Sequence, residues 1–202
     1  LHEPSLPEAA LGEVQRGALA GVQQQRDDPE AIAARLLARH GNPYPKGDPR
    51  YVRTFDEVAT DINAVTLDQL RAFHQRFYGA SNAQFAAVGD FDAAAMRAAL
   101  DAAFGTWRSP SGFTRIPDPA VDVPVANLVQ RTPDKQNAML GIQQSFKLTE
   151  LDADYPAVML GNWMLGSGGD SRLWKRIRER EGLSYGVWSV IDWNPFEPNS
   201  TW

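Results

Sequence analysis

The chain has 202 residues, a net charge of −5, six tryptophans, nine phenylalanines and no cysteine. That length suits one large domain or two small ones, the acidic balance gives no general pull toward nucleic acid or an anionic membrane, and the cysteine count excludes a disulfide framework, a Cys-ligated zinc and a thiol nucleophile. No apolar run approaches the roughly 20 residues that span a bilayer, and a start at Leu1-His-Glu-Pro4 with an end at Thr201-Trp202 reads as a piece excised from something longer.

Residues 8–26 are rich in Ala, Leu, Gln and Arg and free of proline, so propensity predicts a helix that Gly12, Gly17 and Gly21 weaken. Asp28-Pro29 then supplies a cap and a first-turn proline; Ile32, Leu36 and Leu37 share a face, and Gly41 ends this second helix. Three prolines make 42–50 a loop. A short helix follows over 55–64, and Thr66-Leu-Asp-Gln69 is a capping box for a helix to about Tyr78. Residues 84–89 read as a buried strand. Asp92 caps a helix whose inward stripe is Met96, Ala99, Leu100, Ala103, Phe104 and Trp107.

Four prolines and a glycine make 109–124 a linker. Beyond it the patterning predicts a strand over 137–146, a helix from Asp154 or Tyr155 to Leu165, and a helix from Ser171 to about Glu181. A strand over 184–193 is apolar on both faces and wants cover on both. The expected fold class is α+β, an antiparallel sheet packed with helices, with 1–108 before the linker and 125–202 after it.

A zinc hydrolase needs about three His or carboxylate ligands and a general base. His2, His40 and His74 are the histidines present, and none has a second His three or four residues away. His74 reads as a structural helix residue and His40 as a helix C-terminal cap. No G-x-S-x-G elbow marks a serine nucleophile. Asp27-Asp28 and Asp152/Asp154 stand where turns and helix starts ordinarily place acids. Gly166-Ser-Gly-Gly169 ahead of a helix invites a phosphate-loop reading. It follows a helix, lacks the Gly-Lys-Ser/Thr ending and carries Asp170, so it reads as a tight interhelical turn with Asp170 or Ser171 as the next cap.

The helix after that turn carries Arg172, Lys175, Arg176, Arg178 and Arg180. Leu173 and Ile177 define its inward side, and Arg178 stands at the boundary. Tyr185 lies seven residues further on, past the Gly182 turn. Five fixed donors and a phenol can hold a peptide carbonyl or a developing oxyanion; the same spacing also allows a purely structural pairing.

Two segments carry a family resemblance. Thr66–Asp92, with its helix, Tyr-then-Asn turn, strand and Gly-Asp close, and Gly166–Tyr185, with its glycines, Ser-Arg-Leu, Arg-Glu and Gly-Leu-x-Tyr, resemble the insulinase-like (pitrilysin) zinc metallopeptidases. Asp27-Asp-Pro29 and Asn42-Pro-Tyr44 extend the likeness to about residues 8–195. It implies a clam-shell of homologous α+β domains, here the end of one and the start of the next. In that family the catalytic half binds zinc through an inverted His-x-x-Glu-His helix and a downstream glutamate, and a metal-free half closes over the peptide. The downstream glutamate would fall at Gly21, beside Ala20 and Val22, with Glu13 too far upstream. The resemblance therefore implies the non-catalytic half: inactive alone, with zinc supplied by a partner catalytic half and with a peptide as substrate. No nucleic acid or membrane partner is expected. Arg178 and Tyr185 match the substrate-binding pair that such halves extend to the partner's site. The location implied is periplasmic or otherwise extracytoplasmic. The alternative is a non-enzymatic scaffold or assembly protein on the same fold, as in related subunits of respiratory complexes. An anion-binding role for Gly166–Arg172 is the third reading.

Overall fold

The computed structural model describes residues 2–202. Five helices occupy the first half, and local chemistry sets where they begin. α1 is Glu8–Arg26 and α2 is Pro29–His40. The Asp28 carboxylate accepts the Glu30 amide at 3.2 Å, satisfying one of the orphan donors of a first turn. α3, Phe55–Ala64, opens on a reciprocal box: the Thr54 hydroxyl accepts the Glu57 amide at 3.1 Å and the Glu57 carboxylate accepts the Thr54 amide at 2.9 Å. α4, Leu67–Phe77, uses Thr66 and Gln69 in the same way. α5, Ala93–Phe104, starts under Asp92, which accepts the amides of Ala94 and Ala95. Met96, Leu100, Phe104 and Trp107 are the half-buried members of its expected stripe, while Ala99 and Ala103 face solvent.

Packing divides the chain into two units, Leu1–Arg26 with Thr54–Arg115, and Asp27–Arg53 with Ile116–Trp202. In the first, α1 lies on α3 and Val22 is the buried apolar side chain between them. The Gln15 amide donates to the carbonyls of Ile62 and Val65 at 2.9 and 3.0 Å, so α1 caps the open C-terminal end of α3. Aromatic rings join α4 to the end of α5. The His74 and Trp107 rings stack with centroids 6.3 Å apart, His74 also lying 4.8 Å from the Tyr78 ring and Trp107 6.1 Å from that of Phe104.

In the second unit the proline loop is tied to the segment after Ile116. Arg50 grips Asp48 with both ends of its fork, Nε to Oδ1 at 2.9 Å and Nη2 to Oδ2 at 2.8 Å, stacks 3.7 Å from the Tyr44 ring centre, and donates to the Pro117 carbonyl. The Arg50 side-chain hydrogen bonds, and then its backbone amide, hold the Asp48 carboxyl down from 3.8 to about 2. Folded Asp48 thus takes up its proton less readily than the unfolded residue, and its contribution to loop order is full above about pH 4 and lost as the pH falls toward 2. The protection of the Arg50 amide, which donates to Asp48 Oδ1, taken as its exchange relative to the intrinsic rate at each pH, should fall over that window, and Asp48→Asn should remove this pH dependence. A flat wild-type profile would contradict the pairing.

α6 spans Tyr155–Gly166. The following helix is wider than the sequence periodicity predicts: Trp174–Arg180 is π-helical, with the Glu181 amide reaching back to the Arg176 carbonyl at 3.1 Å. Two strands form a small antiparallel sheet, β1 Ser145–Phe146 and β2 Ser200–Thr201, with Ser145 opposite Thr201 and Phe146 opposite Ser200. Asp192 bridges Thr201 from the other side. The architecture is α+β, helix-rich with a small antiparallel sheet.

Three expected strands differ from what is observed. Residues 84–89 form no ladder, 137–146 pairs at its last two residues, and 184–193 contributes the single Asp192 bridge. A strand exists through its neighbour, and these segments have little or no ladder, leaving side chains such as Phe85, Leu140, Ile142 and Val190 exposed. The exposed area is correspondingly large. The chain shows 15344 Å² to solvent, where even two separate compact bodies of half its mass would show roughly 11,300 Å².

Candidate functional site

The segment Gly166–Tyr185 is held in the second unit by a close backbone crossing at its start. The Ser189 amide donates to the Gly166 carbonyl at 3.1 Å, and both residues are buried. Asn162, one helical turn earlier on α6, gathers the surrounding polar groups. Its Oδ1 accepts from the Ser189 hydroxyl at 2.7 Å and from the Trp202 indole at 3.0 Å, while its Nδ2 donates to the Ser189 carbonyl and the Ser167 hydroxyl. The knot therefore joins α6, the chain at Ser189 and the last residue. Sequence reasoning missed it, since its members are apart in sequence and none is charged.

The turn then passes through Gly168, whose φ of 112° favours glycine. Ser171 is the residue that starts the next helix: it is 3 % exposed, and its hydroxyl accepts the Trp174 amide at 3.4 Å. Asp170 instead pairs with Lys175 at 3.2 Å. Gly182, at φ 63°, stops the helix, and the Leu183 amide returns to the Ile177 carbonyl at 3.0 Å.

That stop brings Tyr185 back to Arg178. Arg178 Nη1 donates to the Tyr185 carbonyl at 2.5 Å, and its guanidinium carbon lies 4.4 Å from the Tyr185 ring centre and 4.3 Å from that of Trp174. Tyr185 as a whole residue is 87 % exposed. The structure thus brings the two sequence-predicted residues together and adds Trp174, the half-buried neighbour of Leu173. Its signal was available: an aromatic four residues before an arginine on one helix can stack on it.

The histidines stand apart from this constellation. His2 packs 4.9 Å from Trp107, His74 lies against Tyr78, and His40 Nε2 donates to the Pro124 carbonyl at 2.7 Å, which differs from a cap on its own helix. Asp28 caps α2, and Asp152 accepts from the Thr149 amide and hydroxyl, which lower its pKa in that order. Among the described residues no three ligating side chains converge on a metal position, so this donor set does not fit a zinc ion.

The likeness to known proteins covers this same ground. The family described as "Peptidase M16 inactive domain" matches residues 64–200. An uncharacterized zinc protease of Mycobacterium tuberculosis is 30% identical over 179 residues, 86% of this chain and 39% of that protein. A probable inactive metalloprotease of Bacillus subtilis is 26% identical over 147 residues, 73% of this chain and 34% of its own length. The crystal structure of a peptidase M16 inactive domain from Pseudomonas fluorescens matches with a TM-score of 0.65 and 26% identity, over 98% of this chain and 47% of the other. The chain spans about two fifths of the length of the curated zinc-protease relatives it matches. With the match running from α4 through the Arg178–Tyr185 segment to β2, the chain belongs to the M16 peptidase family as an inactive domain.

Proposed function

We propose that this chain is the metal-free half of an insulinase-like peptidase and holds peptide at a zinc site supplied by a catalytic half, with Arg178 and Tyr185 as the substrate-binding residues. The observation that carries this reading is the convergence of those two side chains, the half-buried Arg178 guanidinium 4.4 Å from the ring centre of the exposed Tyr185. Arg178 donates to the peptide's carbonyls, and the Tyr185 hydroxyl hydrogen-bonds the amide under attack. A zinc held by the catalytic half would supply Lewis acidity and an activated water. Residues 1–108 are the end of one family domain, 125–202 the start of the next, and 109–124 the linker; the compartment is periplasmic or otherwise outside the cytoplasm, to be checked by fractionation.

Purified alone, the chain is expected to take up no stoichiometric zinc and to cleave no peptide. Chelator-sensitive proteolysis by the isolated chain would overturn the assignment. With the catalytic half present, Arg178→Ala should lower turnover by about tenfold, the loss of one charge-assisted hydrogen bond. Unchanged kinetics would remove the role. The likeness to a probable inactive metalloprotease favours a second reading, a scaffold or assembly protein on the same fold. The genes decide between them: a His-x-x-Glu-His sequence in the same or an adjacent reading frame supports the peptidase, and its lack in both supports the scaffold.

A further inference from the structure

Arg178 differs from Lys175, Arg176 and Arg180 in what compensates it. Lys175 pairs with Asp170, and Arg176 and Arg180 both reach Glu181, at 3.0 and 4.0 Å. Arg178 has no carboxylate partner among the described residues. Its contacts are the Tyr185 carbonyl and the two aromatic rings. Ring faces attract a guanidinium and restrict its plane without neutralising it. The fork has five N–H donors in one plane, and the Tyr185 carbonyl engages one nitrogen. A charged, oriented donor edge is left over, and a planar acceptor with two oxygens and a negative charge matches it better than a lone carbonyl does.

Trp174 supplies the orientation. It precedes Arg178 by four residues on the π-helical turn, is itself half-buried, and places its ring 4.3 Å from the guanidinium carbon. A long side chain otherwise free to rotate is thereby pre-ordered, which reduces the entropy lost when a ligand binds.

Resting on the peptide-holding role above, we infer that Trp174, Arg178 and Tyr185 form a carboxylate-binding subsite. The peptides held best carry an anionic carboxylate where they meet Arg178, from a Glu or Asp side chain or from the peptide's own C-terminus. Arg178 and Tyr185 touch the peptide, and Trp174 is a positioning residue that acts through Arg178.

The test uses the chain assembled with its catalytic half and a series of alanine-based decapeptides. One Glu is moved along the sequence, Gln replaces it in a matched series, and each peptide is made with a free and an amidated C-terminus. The expected result is a kcat/KM about tenfold higher for one Glu position than for its Gln counterpart, or for the free acid than for the amide; which contrast appears identifies the source of the carboxylate. Arg178→Ala should abolish the preference, and Arg178→Lys should keep part of it, because an ammonium makes no fork. Trp174→Ala should weaken the preference through KM at unchanged kcat, and Trp174→Phe should restore it. A wild-type assembly indifferent to both contrasts, or a preference that survives Arg178→Ala, overturns the subsite. If Arg178→Ala slows every peptide equally, the carboxylate subsite fails while the peptide-holding role stands. If no peptide is affected, both fail. Matching circular dichroism melts of the variants with wild type separate these outcomes from misfolding.

Discussion

Gly79→Ala is expected to destabilise the first unit by about 3 kcal/mol. A methyl group there would sit 2.1 Å from the Ser109 amide nitrogen and 2.6 Å from both the Arg108 carbonyl carbon and the Ser109 Cα. These are backbone atoms, so no side chain can swing aside. Nor can the facing segment withdraw cheaply. The Ala80 amide donates to the Trp107 carbonyl at 2.8 Å, the Ser109 amide to the Ser81 hydroxyl at 3.0 Å, the Ser109 hydroxyl to the Phe77 carbonyl at 3.0 Å, and the Ser111 amide to the Arg76 carbonyl at 3.1 Å. Making room means lengthening several of these bonds, each worth about 1 kcal/mol net. Thermal denaturation should show a loss of roughly 10 °C or more for that unit's transition. Gly112→Ala is the control, because nothing lies within 4 Å of its added methyl. Equal melting of the two variants would show that 76–81 and 107–111 are not held at this distance.

What the sequence discloses here follows the range of each interaction. Helix starts are readable because a cap acts over three residues, and Asp28, Thr66–Gln69 and Asp92 do what their spacing predicts. The Thr54–Glu57 box is just as local and just as readable. Strands depend on distant partners: nothing about Ser200 and Thr201 marks them as the segment that pairs with Ser145 and Phe146, and the apolar run at 84–89 finds no neighbour at all among the described residues. The helix at 171–181 is readable as a helix but not as a π-helix, because widening is a matter of which carbonyl each of Glu181 and Leu183 reaches. The contact of Arg178 with Tyr185 is a local one, since Gly182 between them has the left-handed φ that folds one back on the other. The Asn162 knot is not, with Ser189 and Trp202 lying 27 and 40 residues from it.

The second large effect is expected at Gly166, where the same steric argument reaches the site. A Cβ on Gly166 would meet the Ser189 hydroxyl at 2.4 Å, its amide nitrogen at 2.6 Å and its Cβ at 2.7 Å. Ser189 is 6 % exposed, and its hydroxyl is engaged by Asn162, so the contact is relieved by moving the chain at Ser189 off α6. That motion opens the Ser189–Gly166 hydrogen bond and the bonds that Asn162 makes to Ser189. We expect Gly166→Ala to cost the second unit about 2–3 kcal/mol. The strain should also reach Tyr185, four residues before Ser189, loosening its carbonyl from Arg178; faster exchange of the Arg178 guanidinium protons would report it. Two further variants give the argument its sign. Gly161→Ala, on the same helix with open space around its added methyl, should be neutral or stabilising by up to about 1 kcal/mol, because alanine is the better helix former. Ser189→Gly in the Gly166→Ala background removes two of the three clashing atoms and should recover part of the loss, the non-additivity expected of residues in contact. If Gly166→Ala melts with Gly161→Ala, or if Ser189→Gly adds its own full cost on top, the backbone crossing does not hold the Arg178–Tyr185 segment in place.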